Sequence, residues 1–138
     1  MGESISTKVI VSMEDPENTV LLKDALDEAV IRRFNITLRH KKNAKTHLII
    51  ELDSVGFAPL QYDSNGYIVS YRTNIDLQIT RETQEMSRRY HAQGTFDFTI
   101  SPNAIITDQQ RFDAISNSAT KALDSFVAQV AAEGTRQK

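Results

Sequence analysis

Three histidines, His40, His47 and His91, are the imidazoles with which this 138-residue sequence could move protons or hold a metal. None has a second ligating residue at the spacing of a helical or tight-turn metal site. His91 and Asp97 fall on one face of the same β-rich run. At about 3.3 Å of rise per residue they are too far apart along that run to form an acid–base pair. Asp76, on another such run, reads as a solvated face residue. The chain has no cysteine, which excludes a thiol nucleophile, a thiolate zinc site, an iron–sulfur cluster and a disulfide framework. It also lacks a Gly-rich phosphate loop, a G-x-S-x-G elbow and an H-E-x-x-H helix. These residues point to no catalytic centre, no metal and no cofactor.

Charge and length narrow the classes further. Sixteen Lys and Arg against eighteen Asp and Glu give a net charge of −2. That balance argues against a nucleic-acid binder that works by neutralising phosphates. No apolar run approaches the roughly 20 residues of a membrane-spanning helix. The length fits one domain over residues 1–138, with residues 1–7 and 134–138 as polar tails. The polar start Met1-Gly2-Glu3-Ser4 reads either as a cytosolic chain or as one from which a signal segment has been cut. The basic stretch Arg39, His40, Lys41, Lys42 and Lys45 reads as a solvated loop or as an anion or lipid-headgroup contact.

The elements that must position these side chains follow from periodicity. Lys8–Met13 is a short β-rich run. Asp15-Pro16 then suits the cap and first position of a helix that runs to Phe34, with Leu22, Leu26, Ala29 and Val30 at helical spacing. Thr46–Gln61 reads as a long strand with Leu48, Ile50 and Leu52 on one face. Gly56 and Pro59 predict a bulge or an edge position within it. Asn65-Gly66 predicts a hairpin, because both residues tolerate positive φ. The next strand alternates Val69, Tyr71, Thr73, Ile75, Leu77 and Ile79 against Ser70, Arg72, Asn74, Asp76, Gln78 and Thr80. A fourth strand sets Tyr90, Ala92, Gly94, Phe96 and Phe98 against Arg89, His91, Gln93, Thr95 and Asp97. Thr107-x-x-Gln110 has the form of a capping box. It opens a helix striped with Phe112, Ile115, Ala119, Leu123, Phe126 and Val130, which Glu133-Gly134 is expected to end. The order β-α-β-β-β-α with one dry face per strand predicts an α+β fold: a four-stranded mixed β-sheet with two α-helices on one face.

The middle of the chain carries a resemblance. Ser54–Thr80, SVGFAPLQYDSNGYIVSYRTNIDLQIT, resembles the LptE family of LPS-assembly outer-membrane lipoproteins. Tyr62-Asp63 with Gly66 matches its Y-D-x-x-G-like turn, and Tyr71-Arg72 its Tyr-Arg pair. Val9-Ile10-Val11, Leu22 and Leu26, and the alanine-rich Ala114–Ala132 segment fit the family's first strand, first helix and last helix. The resemblance implies a protein without enzymatic activity or cofactor. It implies a lipid anchor on an N-terminal cysteine, on the periplasmic side of the outer membrane. It implies a role as plug and folding partner of the LptD β-barrel, assisting lipopolysaccharide insertion into the outer leaflet. A cysteine-free chain with a bare Met1-Gly2 start then reads as a piece that lacks the lipidated residue.

At residue level the resemblance implies two regions. Family members contact lipopolysaccharide through basic residues near the hairpin tip and before the last helix. Here those places hold Asp63-Ser64 and Ile105-Ile106-Thr107, with no cation. The candidates for lipopolysaccharide or barrel contact are therefore Tyr62, Asn65 and Tyr67, with the nearest cations Arg72 and Arg111. The opposite end gathers Arg39, Lys41, Lys42, Arg88 and Arg89 as a membrane-proximal basic group. Two rival readings remain: an auxiliary lipoprotein of another lipid-transport system, and a small cytosolic enzyme.

Overall fold

The computed structural model describes residues 5–11, 19–34 and 46–136. In chain order these form β1 (Ile5–Val11), α1 (Thr19–Phe34), β2 (Thr46–Tyr62), β3 (Ile68–Glu82), β4 (Ser87–Thr99) and α2 (Asp108–Arg136). The strands make one sheet in the order β1-β2-β3-β4. β1 runs parallel to β2, while β2–β3 and β3–β4 are antiparallel. The sheet is mixed, as the crossover-then-meander order predicts.

Alternation decides which sheet face is dry. Leu48, Ile50 and Leu52 of β2, Ile75, Leu77 and Ile79 of β3, and Tyr90 and Ala92 of β4 are buried together. The helices cover this face, α1 against β1 and α2 across β3 and β4, and the two helices pack on each other. Leu22, Ala25, Leu26, Ala29 and Val30 form the buried stripe of α1, and Ile115, Ala119, Ala122, Leu123 and Phe126 that of α2. Each stripe recurs every three to four residues, which keeps it on one side of its helix. The opposite sheet face carries the polar half of the alternation and has no layer over it among the described residues.

Close approach of α2 to the sheet depends on Gly94. A Cβ there would stand 1.9 Å from the carbonyl oxygen of Ser118 and 2.8 Å from the nitrogen of Ala122. Only hydrogen fits between those atoms and the strand. The start of α2 is held by the capping box. Gln110 N–H donates to Thr107 Oγ1 at 3.1 Å, and Thr107 N–H donates to Gln110 Oε1 at 2.9 Å.

Several boundaries differ from the sequence reading. β1 begins at Ile5 rather than Lys8, because its extent is set by parallel pairing with β2, Ile5 opposite Thr46 through Val11 opposite Leu52. β2 shifts register between Pro59 and Tyr62, as Pro59 predicts, and has a further bulge between Leu52 and Ser54, ahead of Gly56. That bulge moves the inward face from the even positions to Val55 and Phe57, which pack against the core. α2 continues through Gly134 to Arg136. Its last turns are tied to β4, where Glu133 Oε2 accepts from Arg88 at 2.7 Å and from Tyr90 OH at 2.9 Å. At the hairpin, Gly66 takes φ +84° but Asn65 stays outside the left-handed region. The loop is a type I-like turn closed by Gly66, with Gly66 N–H donating to the Asp63 carbonyl at 3.0 Å. The proposed helix start at Asp15 and Pro16 lies outside the described residues.

Candidate functional site

The open sheet face presents two polar clusters built by cross-strand register. β3 and β4 pair without interruption from Glu82 opposite Ser87 to Ser70 opposite Thr99. That register places Arg72 directly across from Asp97. Their ion pair is bidentate, Nε to Oδ1 at 2.8 Å and Nη2 to Oδ2 at 3.0 Å. The hydrogen bond and charge of Arg72 hold the Asp97 carboxyl below its ordinary range, and Asp97 raises the guanidinium in turn.

Asp76 is the hub of the second cluster. Ser54 Oγ donates to its Oδ2 at 2.7 Å from β2, and Gln93 Nε2 donates to its Oδ1 at 2.7 Å from β4. His91 Nε2 stands 3.5 Å from Oδ1, diagonally across the ladder. The Ser54 hydrogen bond is the largest cause of a lowered Asp76 pKa, partial burial opposes it, and Gln93 and His91 add to the lowering. The reading of Asp76 as a plain solvated residue is thus replaced by a three-strand hub. Counting outward from the Thr83–Met86 turn pairs Asp76 with Gln93 and brings His91 within diagonal reach, so the signal was present in strand spacing.

The hairpin end holds the other candidates. Asp63 Oδ1 accepts from the N–H groups of Asn65 at 2.9 Å and Tyr67 at 3.0 Å, and Asp63 N–H donates to the Tyr67 carbonyl at 2.9 Å. This fixes Tyr62, Asn65 and Tyr67 on one rigid turn. Tyr62 and Tyr67 are exposed, as are Leu60 on β2 and Ile105 in the approach to α2. The β4–α2 junction docks against the same end, with Ile100 and Asn103 N–H groups donating to the carbonyls of Val69 and Ile68 at 3.0 and 3.1 Å. Asn103 adopts φ +57° there, a conformation that asparagine tolerates better than other non-glycine residues.

The two cations are not brought together. Arg72 projects from the open sheet face, while Arg111 lies in the first turn of α2, on the helical side. Arg111 Nη2 is 2.8 Å from Asp108 Oδ1, so each cation has a carboxylate partner. At the far end, Arg88 pairs with Glu133, and Arg89 is exposed on β4. Arg39, Lys41 and Lys42 lie outside the described residues. Burial is the first cause of the raised Tyr90 pKa, followed by its bond to Glu133.

Two further absences bear on chemistry. Among the described residues no group of three His, Asp or Glu could hold a metal ion. No described helix is long and apolar enough to cross a membrane.

Comparison with known proteins gives the geometry a family. The solved structure of rare lipoprotein B from Shewanella oneidensis is similar, with a TM-score of 0.50 and 13% identity, covering 94% of this chain and 98% of that one. A putative lipoprotein from Caulobacter crescentus has a TM-score of 0.49 and 17% identity, covering 97% and 92%. A minor lipoprotein from Acinetobacter baumannii has a TM-score of 0.48 and 9% identity, covering 96% and 93%. No curated protein matches the sequence. The sequence model of the LptE family, described as Lipopolysaccharide-assembly, matches residues 7–130. Because that match runs from within β1 to within α2 and so covers most of the chain, the chain belongs to the LptE family of lipopolysaccharide-assembly proteins.

Proposed function

We propose that this protein is a non-enzymatic subunit of the lipopolysaccharide assembly machinery. It acts as plug and folding partner of an LptD-like outer-membrane β-barrel and assists lipopolysaccharide insertion into the outer leaflet. It sits on the periplasmic side of the outer membrane and is held there by a lipid anchor on its mature chain. The observation that carries this reading is the family match over residues 7–130.

The physical form suits the role. Helices seal one face of the sheet, so the fold does not need a partner to complete its core. The other face offers Arg72, Asn74, Gln78, His91, Gln93 and Thr95, side chains able to meet a hydrated barrel lumen. The rigid, apolar hairpin end with Tyr62 and Tyr67 supplies amphipathic contact to a glycolipid or a barrel wall. Arg72 and Arg111 are the nearest cations for its phosphates. The test is co-expression with the outer-membrane barrels of the same genome, followed by pull-down and identification. Recovery of one large barrel is the expected result. Failure to recover any barrel sinks the reading.

A further inference from the structure

Two arginines face each other beside the β3–β4 turn. The register sets Arg81 directly opposite Arg88, with Ile79 opposite Tyr90 next along the ladder. Each arginine is two residues from a buried one, Ile79 or Tyr90, so both stand on the helical side of the sheet. Like charges directly across a ladder repel. One carboxylate answers them. Glu133 Oε2, from the last turns of α2, accepts from Arg88 Nη1 at 2.7 Å and from the Tyr90 hydroxyl at 2.9 Å.

Arg81 is left without a carboxylate. Among the described residues none lies within ion-pair distance of its guanidinium. Its charge is felt at the Tyr90 hydroxyl, where it partly offsets the raising effects of burial and of Glu133. Glu82, next in sequence, alternates to the open face. Phe34 and Thr46 line the small apolar pocket beside Arg81. The residues that join them, 35–45, include Arg39, Lys41, Lys42 and Lys45 but no Asp or Glu. A half-buried cation without a counter-ion is costly. The cluster is reached through a groove of about 410 Å³ lined by Arg88, Arg89, Tyr90, Gln129, Ala132 and Glu133. Arg88 and Glu133 keep 48% and 27% of their side chains exposed, so their pair can open to a competing anion.

We infer that Arg81, Arg88 and the Tyr90 hydroxyl form a binding site for a phosphate monoester, with the Glu133 carboxylate as its internal competitor. Two guanidiniums and a phenol on one side of the sheet present three sets of donors. A terminal phosphate offers three free oxygens to receive them, whereas a phosphodiester offers only two. The carboxylate satisfies Arg88 and Tyr90 alone, while the phosphate also takes Arg81 and brings nearly two charges. Inorganic phosphate and a lipid with a terminal phosphate headgroup share this chemistry.

Titration with inorganic phosphate at fixed ionic strength, followed by NMR at the arginine Nε–H groups, tests the site. The Arg81 and Arg88 resonances should shift together and saturate, while that of Arg72 moves little. Arg81→Gln should weaken phosphate binding about tenfold or more, through loss of the charge-assisted bonds of one guanidinium. Glu133→Gln removes the competitor and should tighten binding about threefold or more. Damage to the fold would lose affinity in both variants, so the gain in Glu133→Gln decides the matter even where Arg81→Gln does not fold. Shifts that fail to saturate, unchanged affinity in Arg81→Gln, or unchanged or weaker binding by Glu133→Gln overturns the site. Co-sedimentation with vesicles then separates the sources. If a lipid supplies the phosphate, Arg81→Gln lowers binding to phosphatidic acid vesicles more than to phosphatidylglycerol vesicles of equal surface charge. If a soluble phosphate supplies it, the variant loses phosphate affinity and binds both vesicles as the original does. Phosphate binding needs no barrel, so its failure leaves the proposed partnership standing.

Discussion

Asp76 shows what a single side chain contributes once neighbouring strands are in register. Its carboxylate accepts hydrogen bonds from two strands, and these lower its pKa against the opposing effect of partial burial. A carboxyl with a lowered native pKa contributes stability that is complete above its unfolded value of about 3.9 and is lost as pH falls through the native value. The chain should therefore lose stability below about pH 4, and Asp76→Asn should flatten that slope. Urea unfolding midpoints at neutral and acidic pH measure it: the original and variant should differ most at pH 7 and converge in acid. Thr73 makes the opposite case. It is fully buried on the dry face of β3, and its hydroxyl has no hydrogen-bond partner among the described residues. Valine has the same shape without the polar atom. Thr73→Val should raise unfolding free energy by about 1 kcal/mol, the cost of burying an unmet hydroxyl. An unchanged or lower urea midpoint would show that the hydroxyl is satisfied.

The elements most legible in the sequence were those whose pattern is local. β3 and β4 alternate without a break, so their core-facing sides followed from residue type, while their ends at Glu82 and Ser87 lie two residues closer to the turn than the alternation marks. The capping box at Thr107 located the start of α2 to the residue. What escaped was set between elements. The parity change at Asp53 depends on how β2 meets β3, and no local signal marks it. The Asp76 cluster likewise needs three strands at once. Gly94 is a further example: as one glycine in an alternating run it looks unremarkable, and its role appears only when α2 is placed against it. Gly94→Ala puts a methyl group into the Ser118 carbonyl and the Ala122 nitrogen, so α2 must lift from β4. Overpacking of this kind should cost about 2 kcal/mol or more and lower the melting temperature by about 5 °C or more. The obstructing atoms are main-chain atoms, so shortening the side chain at Ser118 should not rescue the variant. Thermal unfolding followed by circular dichroism checks both statements.

For the whole molecule, sheet topology separates two ends with different chemistry. The hairpin end joins the Tyr62–Tyr67 turn to the β4–α2 junction and exposes Leu60, Tyr62, Tyr67 and Ile105. The opposite end holds the start of β1, the Thr83–Met86 turn and the last turns of both helices. Among the described residues there, Arg88 is neutralised by Glu133 and Arg33 by Asp124. Arg89 is exposed there on β4, while the Arg39–Lys45 stretch lies outside the described residues. The two ends should respond differently to an anionic glycolipid. Arg72 and Arg111 are held by Asp97 and Asp108, in pairs exposed enough for a phosphate to compete for the guanidinium. Arg72 follows the Tyr62–Tyr67 turn on β3, and Arg111 follows the β4–α2 junction that docks against the hairpin end. Arg72→Glu with Arg111→Glu should therefore weaken lipopolysaccharide binding more than Lys41→Glu with Lys42→Glu. The second pair should instead dominate the loss of binding to vesicles rich in anionic phospholipid, where charge acts without a shaped site. Co-sedimentation of each double variant with both kinds of particle separates the ends. Equal losses on both particles would mean that one diffuse field, rather than two distinct surfaces, attracts the ligand.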